Sequence, residues 1–393
     1  MTILRSMSES NTMAEMFHPP PHVVPLKKVE DELSALRTSA SADNVPSLRA
    51  CTLTLVVLCD KNEDPADLEA LVAQIVESHP ARVILIAQHD PEAGAWLETR
   101  VSSYLSGNGG LRRLLGEEIM FYPRGTQYDS LPSAILGLRV SGLPFILYWR
   151  GQPDLDDHLF RALVQECDQI LFDSQHFTAR AERINNTIAR LRLNFPNVSF
   201  GDVNWQRIRP WREFVAQFFD DPANLAYLDK ITRVAIDFSV GFGGNQSAAI
   251  LMMAWLASSL GWRVVHGSYQ RDGLKRVARF EQKQYGAASR HEIEVIINVL
   301  EQEDCMPGEL TGVRIETSDD LPEAIFQAKR AVGGFVDVRE LTLNRYSERC
   351  LVLNIPQESS VITAELDAPR RDRNYHRALE LLDALMSQNA ESR

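Results

Sequence analysis

Between residues 50 and 193, short apolar runs alternate with stretches of helical periodicity. The apolar runs predict strands at Cys51–Cys59, Arg82–Ala87, Glu118–Tyr122, Pro144–Trp149 and Gln169–Phe172. The stretches between them predict helices at 64–78, 91–105, 130–140, 155–166 and 177–193, with a glycine-rich turn at 107–110. Strands separated by helices of about ten to fifteen residues form βαβ units. The pattern therefore predicts an α/β fold, with a mostly parallel, doubly wound sheet and helices on both faces.

The later part of the chain has a different pattern. A strand is predicted at Ile231–Val240, a buried helix at Asn245–Leu260 and a short strand at Arg263–His266. Further strands are predicted at 291–300, 310–317, 334–341 and 349–354, one helix at 320–331 and a closing helix at 374–387. Because strands here follow one another with few helices between them, we expect a C-terminal α+β domain with an antiparallel sheet.

These patterns divide the chain into three parts. Residues 1–25 contain Pro19, Pro20, Pro21 and Pro25, which predicts a flexible or extended arm. Residues 26–200 form the predicted α/β domain, which starts with an amphipathic helix at 26–37, and residues 201–393 form the C-terminal α+β domain. The boundary between the two domains is set only to the interval 200–285, since boundaries are the least certain part of a pattern-based reading.

The charge balance, the cysteines and the lack of long apolar runs argue against several classes of protein. The chain has 41 Lys and Arg against 53 Asp and Glu, a formal charge of −12, which argues against general binding of nucleic acid. Five cysteines without a C-x-x-C pair indicate a reducing compartment. No apolar run is long enough for a membrane-spanning helix, and the N-terminus has no secretory pattern. We therefore expect a cytoplasmic protein that binds neither nucleic acid nor membrane.

Three patterns could support catalysis or ligand binding, and each is incomplete. Gly241, Gly243, Gly244 and Asn245 follow a predicted strand and precede a helix, as in an anion- or phosphate-binding turn, but Gln246 stands where a dinucleotide fingerprint needs its third glycine. His18 and His22 are separated by three prolines and cannot share a helical face, so no metal site is predicted. Asp173, Ser174 and His176 fit a helix cap better than a catalytic triad. We assign no catalytic residue and no cofactor.

The most distinctive stretch is DVNWQRIRPWREFVAQFFD at residues 202–220, which we call the Trp–Arg segment. Pro210 suits the first turn of a helix whose apolar face is Trp211, Phe214, Val215, Phe218 and Phe219. Guanidinium groups next to indoles are typical of interface hot spots, although stacked Arg–Trp pairs also occur in domain packing. A second Trp–Arg pair, Trp149 and Arg150, occurs at the carboxyl end of the predicted strand Pro144–Trp149. The hypothesis is that a partner contacts Trp205, Arg207, Arg209, Pro210, Trp211, Arg212, Trp149 and Arg150.

At these residues the chain resembles the OpcA family of glucose-6-phosphate dehydrogenase assembly proteins. The similar stretches are RACTLTLVVL (49–58), RVILIA (82–87), LPFILYWRG (143–151), CDQILFDSQHF (167–177), the Trp–Arg segment and AWLASSLGWR (254–263). They extend over roughly residues 26 to 265. The C-terminal third is recognisable mainly by position and length.

The resemblance implies a non-catalytic partner of glucose-6-phosphate dehydrogenase, which promotes the active oligomer of that enzyme at the entry of the oxidative pentose phosphate pathway. The absence of a complete catalytic motif agrees with this expectation. The alternative reading from the residues is a nucleotide- or sugar-phosphate-binding α/β regulator or enzyme, supported by the glycine turn and the arginines. The two can coexist if a sugar phosphate or NADP binds at the surface shared with the dehydrogenase.

Overall fold

The computed structural model describes residues 15–40, 51–59, 65–87, 92–108, 111–177, 181–239, 245–265, 269–272, 275–283, 290–302, 305–317, 324–368 and 372–390. The chain divides into two compact units. Residues 1–148 and 156–168 form the first unit, and residues 149–155 and 169–393 form the second. The domain boundary predicted at residue 200 lies inside the second unit.

The first unit is built on a mixed sheet. Its elements are β1 (Glu15–Phe17), β2 (His22–Val23), α1 (Val29–Ala40), β3 (Leu53–Leu58), α2 (Pro65–Ser78), β4 (Ala81–Ile86), β5 (Trp96–Asn108), β6 (Leu111–Arg124), α3 (Leu131–Leu138), β7 (Phe145–Trp149) and α4 (His158–Glu166). The sheet order is β1-β5-β6-β4-β3-β7, with β2 also paired to β5. The β3–β4 and β4–β6 pairs are parallel, and β5 pairs antiparallel with β6.

Burial along the strands explains why their positions could be predicted from the sequence. Every residue of β4 and β7 is buried, and β3 is buried except for Leu58, as expected for strands covered on both faces. The helix predicted at 91–105 was wrong, because residues 96–108 form β5. β5 pairs along almost all of β6, and these backbone partners outweigh the local helix propensity of residues 97–100.

The second unit joins a pair of parallel strands to a large sheet. Its elements are β8 (Gln169–Phe172), α5 (Ala181–Asn194), β9 (Ser199–Asp202), α6 (Val203–Arg207), α7 (Arg209–Gln217), β10 (Ile231–Ser239), α8 (Ser247–Ser259), β11 (Arg263–Val264), β12 (Gln270–Asp272), β13 (Lys275–Lys283), β14 (Arg290–Leu300), β15 (Leu310–Thr317), β16 (Ile325–Ala331), β17 (Phe335–Thr342), β18 (Arg345–Val352), α9 (Glu358–Asp367) and α10 (Arg373–Ala390). Strands β8 and β9 run parallel.

The large sheet has the order β11-β13-β14-β10-β15-β16-β17-β18, with β12 also paired to β13. Its pairs are antiparallel except for β10–β14. The predicted fold class, a parallel-rich α/β sheet followed by an antiparallel α+β part, is confirmed. The helix predicted at 320–331 was wrong, because residues 325–331 form β16. There Phe326 and Ala328 alternate with more exposed residues at the strand period of two.

One face of this sheet forms the core of the second unit. Strands β10, β13, β14 and β15 to β17 bury alternate residues, among them Val234, Ile236, Phe280, Val295, Ile315, Phe326 and Val338. Helix α8 is almost entirely buried and packs against α10, as its continuous apolar sequence requires. Within the described residues, no helix is both long and apolar enough to cross a bilayer.

Candidate functional site

The Trp–Arg segment starts at the carboxyl end of β9 and forms α6 and α7. Asp202 is the N-cap of α6, where its Oδ1 accepts hydrogen bonds from the backbone N–H of Asn204 at 2.9 Å and of Ser174 at 3.1 Å. Pro210 lies in the first turn of α7, where the missing N–H costs nothing. The helix expected from Pro210 onward is confirmed, whereas α6 is a short helix that the sequence did not predict.

Arg207 is held by a buried carboxylate. Its Nη1 and Nη2 donate to Oδ1 and Oδ2 of Asp173 at 2.9 and 2.6 Å, and the Asp173 side chain is fully buried. Burial alone would raise the pKa of Asp173, but the Arg207 guanidinium reverses this effect and keeps the pKa below its ordinary value. Asp173 also acts as a cap, but of the short 3-10 helix Ser174–His176 and not of the long helix expected from residue 177. This bidentate pair joins α6 to the end of β8.

Trp205 and Arg212 form a second buried pair. The guanidinium carbon of Arg212 lies 3.8 Å from the Trp205 ring centre, and Nη2 donates to the Trp205 carbonyl at 3.1 Å. The indole Nε1 donates to Asp372 Oδ2 at 2.8 Å, and Trp205 is only 1% exposed. Burial lowers the pKa of Arg212 to about 10, partly offset by Asp372. The stack therefore lies inside the second unit.

The remaining predicted contact residues divide by exposure. Trp211 is buried and meets Phe214 edge-on, while Phe218 and Phe219 pack on Phe326 of the large sheet. This confirms the predicted apolar face of α7.

The second predicted Trp–Arg pair also belongs to the second unit. Trp149 is buried, and Arg150 Nη1 donates to Glu358 Oε1 at 2.5 Å. Pro210 is half-buried, and only Arg209 is largely exposed, with its side chain 62% accessible beside Glu213. Contact with a partner stays a prediction, and the structure places Arg209 where such a contact is accessible.

Two acids beside the segment are buried without full compensation. Asp202 Oδ2 has no hydrogen-bond partner among the described residues, and desolvation, with a contribution from Asp173, raises the pKa of Asp202 to about 7. Glu365 on α9 accepts from the Gln206 amide at 2.8 Å, and desolvation raises its pKa to about 8. Both carboxyls are at most 5% exposed. Both carboxyls are therefore enclosed by the second unit and out of reach of an external substrate.

An open groove of about 560 Å³ runs along the exposed side of the segment. It is lined by residues of α6 to α9 and of the stretch before α10, among them Gln206, Arg209, Arg212, Glu213, Trp255, Asp367 and Asp372. Two arginines face three carboxylates there, so the groove carries both signs of charge. Such a surface suits contact with a polypeptide of mixed charge better than capture of a small anion.

A second cavity lies beside Arg207 and Arg330. It has room for one or two water molecules, with a volume of about 30 Å³. Arg330 donates to Glu309 at 2.6 Å, so each arginine faces the cavity with an acid at its side.

In the predicted anion turn, Gly241, Gly243 and Gly244 lie outside the described residues. Asn245 is buried, and its amide donates to the carbonyls of Ser174, Gln175 and Phe177. In the part of the chain that the structure describes, no group of His, Cys, Asp or Glu has the arrangement of a metal site.

The sequence did not reveal the acids that hold this site together. The sequence indicates only a helix cap at Asp173. A signal for the Asp173–Arg207 pair does exist, because Asp173 directly follows an apolar strand and Arg207 lies in the next α/β connection. Glu365 lies on α9, a helix that was not predicted, and Asp372 caps α10 through the N–H groups of Asn374 and Tyr375. These acids are distant in sequence, and only the fold brings them together.

Two family models match the chain in tandem. One is described as the N-terminal domain of a glucose-6-phosphate dehydrogenase subunit and matches residues 72–189. The other is described as the C-terminal domain of that subunit and matches residues 198–379. The chain belongs to the OpcA family of glucose-6-phosphate dehydrogenase assembly proteins. The resemblance seen in the sequence is confirmed, and the family match also includes most of the C-terminal third.

Curated relatives carry the OpcA name, which assigns them to the OxPP cycle. One from Nostoc punctiforme is 29% identical over 201 residues, 51% of this chain and 41% of the relative. One from Synechocystis is 28% identical over 208 residues, 52% of this chain and 42% of the relative. The matched part spans less than half of each relative's length.

Among solved structures, the chain is similar to the 3-ketoreductase KijD10 from Actinomadura kijaniata in complex with NADP and TDP-benzene. The identity is 12% and the TM-score 0.47, over 86% of this chain and 97% of that one. A myo-inositol 2-dehydrogenase from Lactobacillus plantarum is 9% identical, with a TM-score of 0.42 over 87% of this chain and 98% of that one. Similarities this low carry no argument about chemistry.

Proposed function

We propose that this chain is a non-catalytic assembly factor that binds glucose-6-phosphate dehydrogenase and promotes the enzyme's active oligomer in the oxidative pentose phosphate pathway. The observation that carries the proposal is the tandem match to both family domains over residues 72–189 and 198–379. A protein that binds the assembled enzyme more tightly than its separate subunits shifts the equilibrium towards the assembly by mass action. No turnover by the chain itself is needed for this effect.

The geometry of the Trp–Arg segment supports a binding role. Its tryptophans and most of its arginines are engaged within the second unit, which gives α6 and α7 a rigid framework. Arg209 and Glu213 project from that framework beside the open groove. A surface held in place before binding loses little conformational entropy when a partner docks. We therefore assign the accessible part of the partner site to Arg209 and the groove.

Charge reversal at Arg209 is the direct test. Arg209→Glu should reduce the activation of the dehydrogenase and its co-purification by about tenfold, because a rim charge affects association more than folding. Arg139→Glu is the matched control, since Arg139 is also exposed and paired with a glutamate, Glu166. Circular dichroism should show both variants folded. Equal activation by wild type and Arg209→Glu would remove this surface from the proposal.

A small-molecule role is a second candidate, carried by the Gly241–Asn245 sequence and the arginines of the Trp–Arg segment. The cavity beside Arg207 and Arg330 does not support it, because about 30 Å³ is too small for a sugar phosphate. In this reading a sugar phosphate or NADP binds the chain and links ligand level to assembly. Calorimetry of the chain alone with glucose 6-phosphate and NADP separates the candidates. Saturable binding without the dehydrogenase would support the ligand role, whereas binding only in its presence would place the ligand at the shared surface.

A further inference from the structure

The large sheet of the second unit has one covered face and one open face. Backbone register places the side chains of the open face in continuous rows across β13 to β18. One such row contains Val277, Ile296, Ala235, Arg314, Gln327, Arg339 and Glu348. None of these side chains is buried, whereas the opposite face of β13 to β17 is buried in alternation. This open face is independent of the Trp–Arg segment.

Large apolar side chains are concentrated at the β17–β18 end of this face. Leu341 pairs across strands with Tyr346, and Phe335 pairs with Val352. They are 42%, 65%, 40% and 59% exposed, respectively. Directly opposed residues of an antiparallel pair point to the same side of the sheet, so each pair forms an apolar cluster on the open face. The two clusters lie at opposite ends of β17 and β18, with Arg339 and Glu348 between them. Exposed apolar clusters bordered by polar residues mark interaction surfaces.

The charges of the open face are matched within the face. Four arginine–glutamate pairs cross it at N–O distances from 2.5 to 3.4 Å, namely Arg233–Glu294, Arg279–Glu292, Arg314–Glu316 and Arg339–Glu348. The chain as a whole carries a formal charge of −12. Two copies therefore have a net electrostatic repulsion. The open face carries arginines and glutamates within the same rows, so a second copy can set opposite charges against them.

The size of the face also fits a dimer. Seven strands from β13 to β18, most of them eight residues long or longer, cover about 29 Å by about 27 Å, or roughly 800 Å². A stable interface of standard size buries about 800 Å² on each partner. Two-fold symmetry uses the same patch on both subunits, which requires the self-complementarity just described.

We propose that the open face of the large sheet binds the same face of a second copy of this chain, giving a two-fold dimer. The two apolar clusters, Phe335 with Val352 and Leu341 with Tyr346, supply the hydrophobic contacts. The arginine–glutamate rows set the orientation, because each row can exchange partners with the corresponding row of the other copy. The dimer forms without the dehydrogenase.

Sedimentation of the purified full chain alone tests the proposal over a range of concentrations. We expect the mass of a dimer. The double substitution Leu341→Glu and Tyr346→Glu should weaken the dimer at least about a hundredfold, since like charges would face each other across the interface. The matched control is Leu193→Glu, because Leu193 is 81% exposed on α5 and away from the sheet. This control should leave the dimer intact.

Two results would overturn the proposal. One is a monomer at every concentration, and the other is a dimer that the double substitution leaves unchanged. Hydrogen exchange of residues 335–352 adds an independent readout, with protection expected as the concentration of the chain rises. Protection that appears only when the dehydrogenase is added would assign the face to that enzyme instead. Because the experiment uses the chain alone, its failure is distinguishable from failure of the assembly role.

Discussion

The Trp–Arg segment and the open face of the large sheet belong to the same unit, but the segment buries its large side chains whereas the open face exposes them. In the segment, Trp205 and Trp211 are buried, and Arg207 and Arg212 are engaged by internal partners. On the open face, Leu341 and Tyr346 are largely exposed, and the charged residues pair with one another across strands. The distinctive Trp–Arg segment therefore contributes mainly to the interior of the second unit. The exposed surface comes instead from strands in which buried and exposed residues simply alternate.

The largest expected effect concerns the Arg207–Asp173 pair. Arg207→Ala leaves the fully buried Asp173 carboxylate without its cation and should lower the free energy of unfolding by about 3–5 kcal/mol. Leu341→Ala on the open face should change it by less than about 0.5 kcal/mol. Urea unfolding of both variants at low protein concentration measures the contrast. Similar losses for the two would mean that the segment is not the structural framework described above.

A smaller effect is expected at the Trp205–Arg212 stack. Trp205→Phe removes the N–H donor to Asp372 and part of the surface beneath Arg212, and should cost about 2–3 kcal/mol. Trp96→Phe is the matched control, because Arg124 also stacks on Trp96, which is 45% exposed in the first unit. The control should cost less than about 0.5 kcal/mol. Thermal unfolding followed by circular dichroism compares them, and equal costs would contradict the difference in burial.

The third effect appears as a pH dependence. Glu365 keeps its proton in the folded chain up to about pH 8, but loses it near pH 4.5 when unfolded. Its contribution to stability is therefore fully present below pH 4.5 and is lost as the pH rises through 8, which amounts to about 1–3 kcal/mol between pH 6 and 9.

Glu365→Gln should flatten this decline, whereas Glu213→Gln, at an exposed site, should not. Thermal midpoints at several pH values give the comparison. An unchanged slope in Glu365→Gln would show that the group titrates as in water. Asp202 contributes a smaller decline in the same direction up to about pH 7, which both variants retain.

The sequence allowed much of the fold to be predicted. Runs such as residues 82–87 and 144–149 are apolar throughout, and the structure buries them as strands. The failures at 91–105 and 320–331 share a cause, since both stretches are held extended by antiparallel pairing with the strands next to them in the chain, β5 with β6 and β16 with β15 and β17. The apolar period within one stretch does not reveal the backbone hydrogen bonds that it makes to a neighbouring strand.

The candidate site was predictable only in part. The apolar face of α7 and the position of Pro210 followed from helical spacing, and both are confirmed. The partners of Arg207, Trp205 and Arg150 could not be predicted, because Asp173, Asp372 and Glu358 come from other elements of the fold. The exposure of these side chains could not be predicted either, because a sequence rich in Trp and Arg is the same whether the residues pack in a core or contact a partner.

The central claim is that the chain acts by binding glucose-6-phosphate dehydrogenase and stabilising its active oligomer. The most direct measurement titrates the purified chain into the dehydrogenase of its own organism, following oligomer mass and NADPH formation in the same samples. The account predicts that both rise together and saturate at a fixed ratio of chain to enzyme, with no NADPH formed by the chain alone. An enzyme whose mass and rate stay unchanged throughout the titration would contradict it.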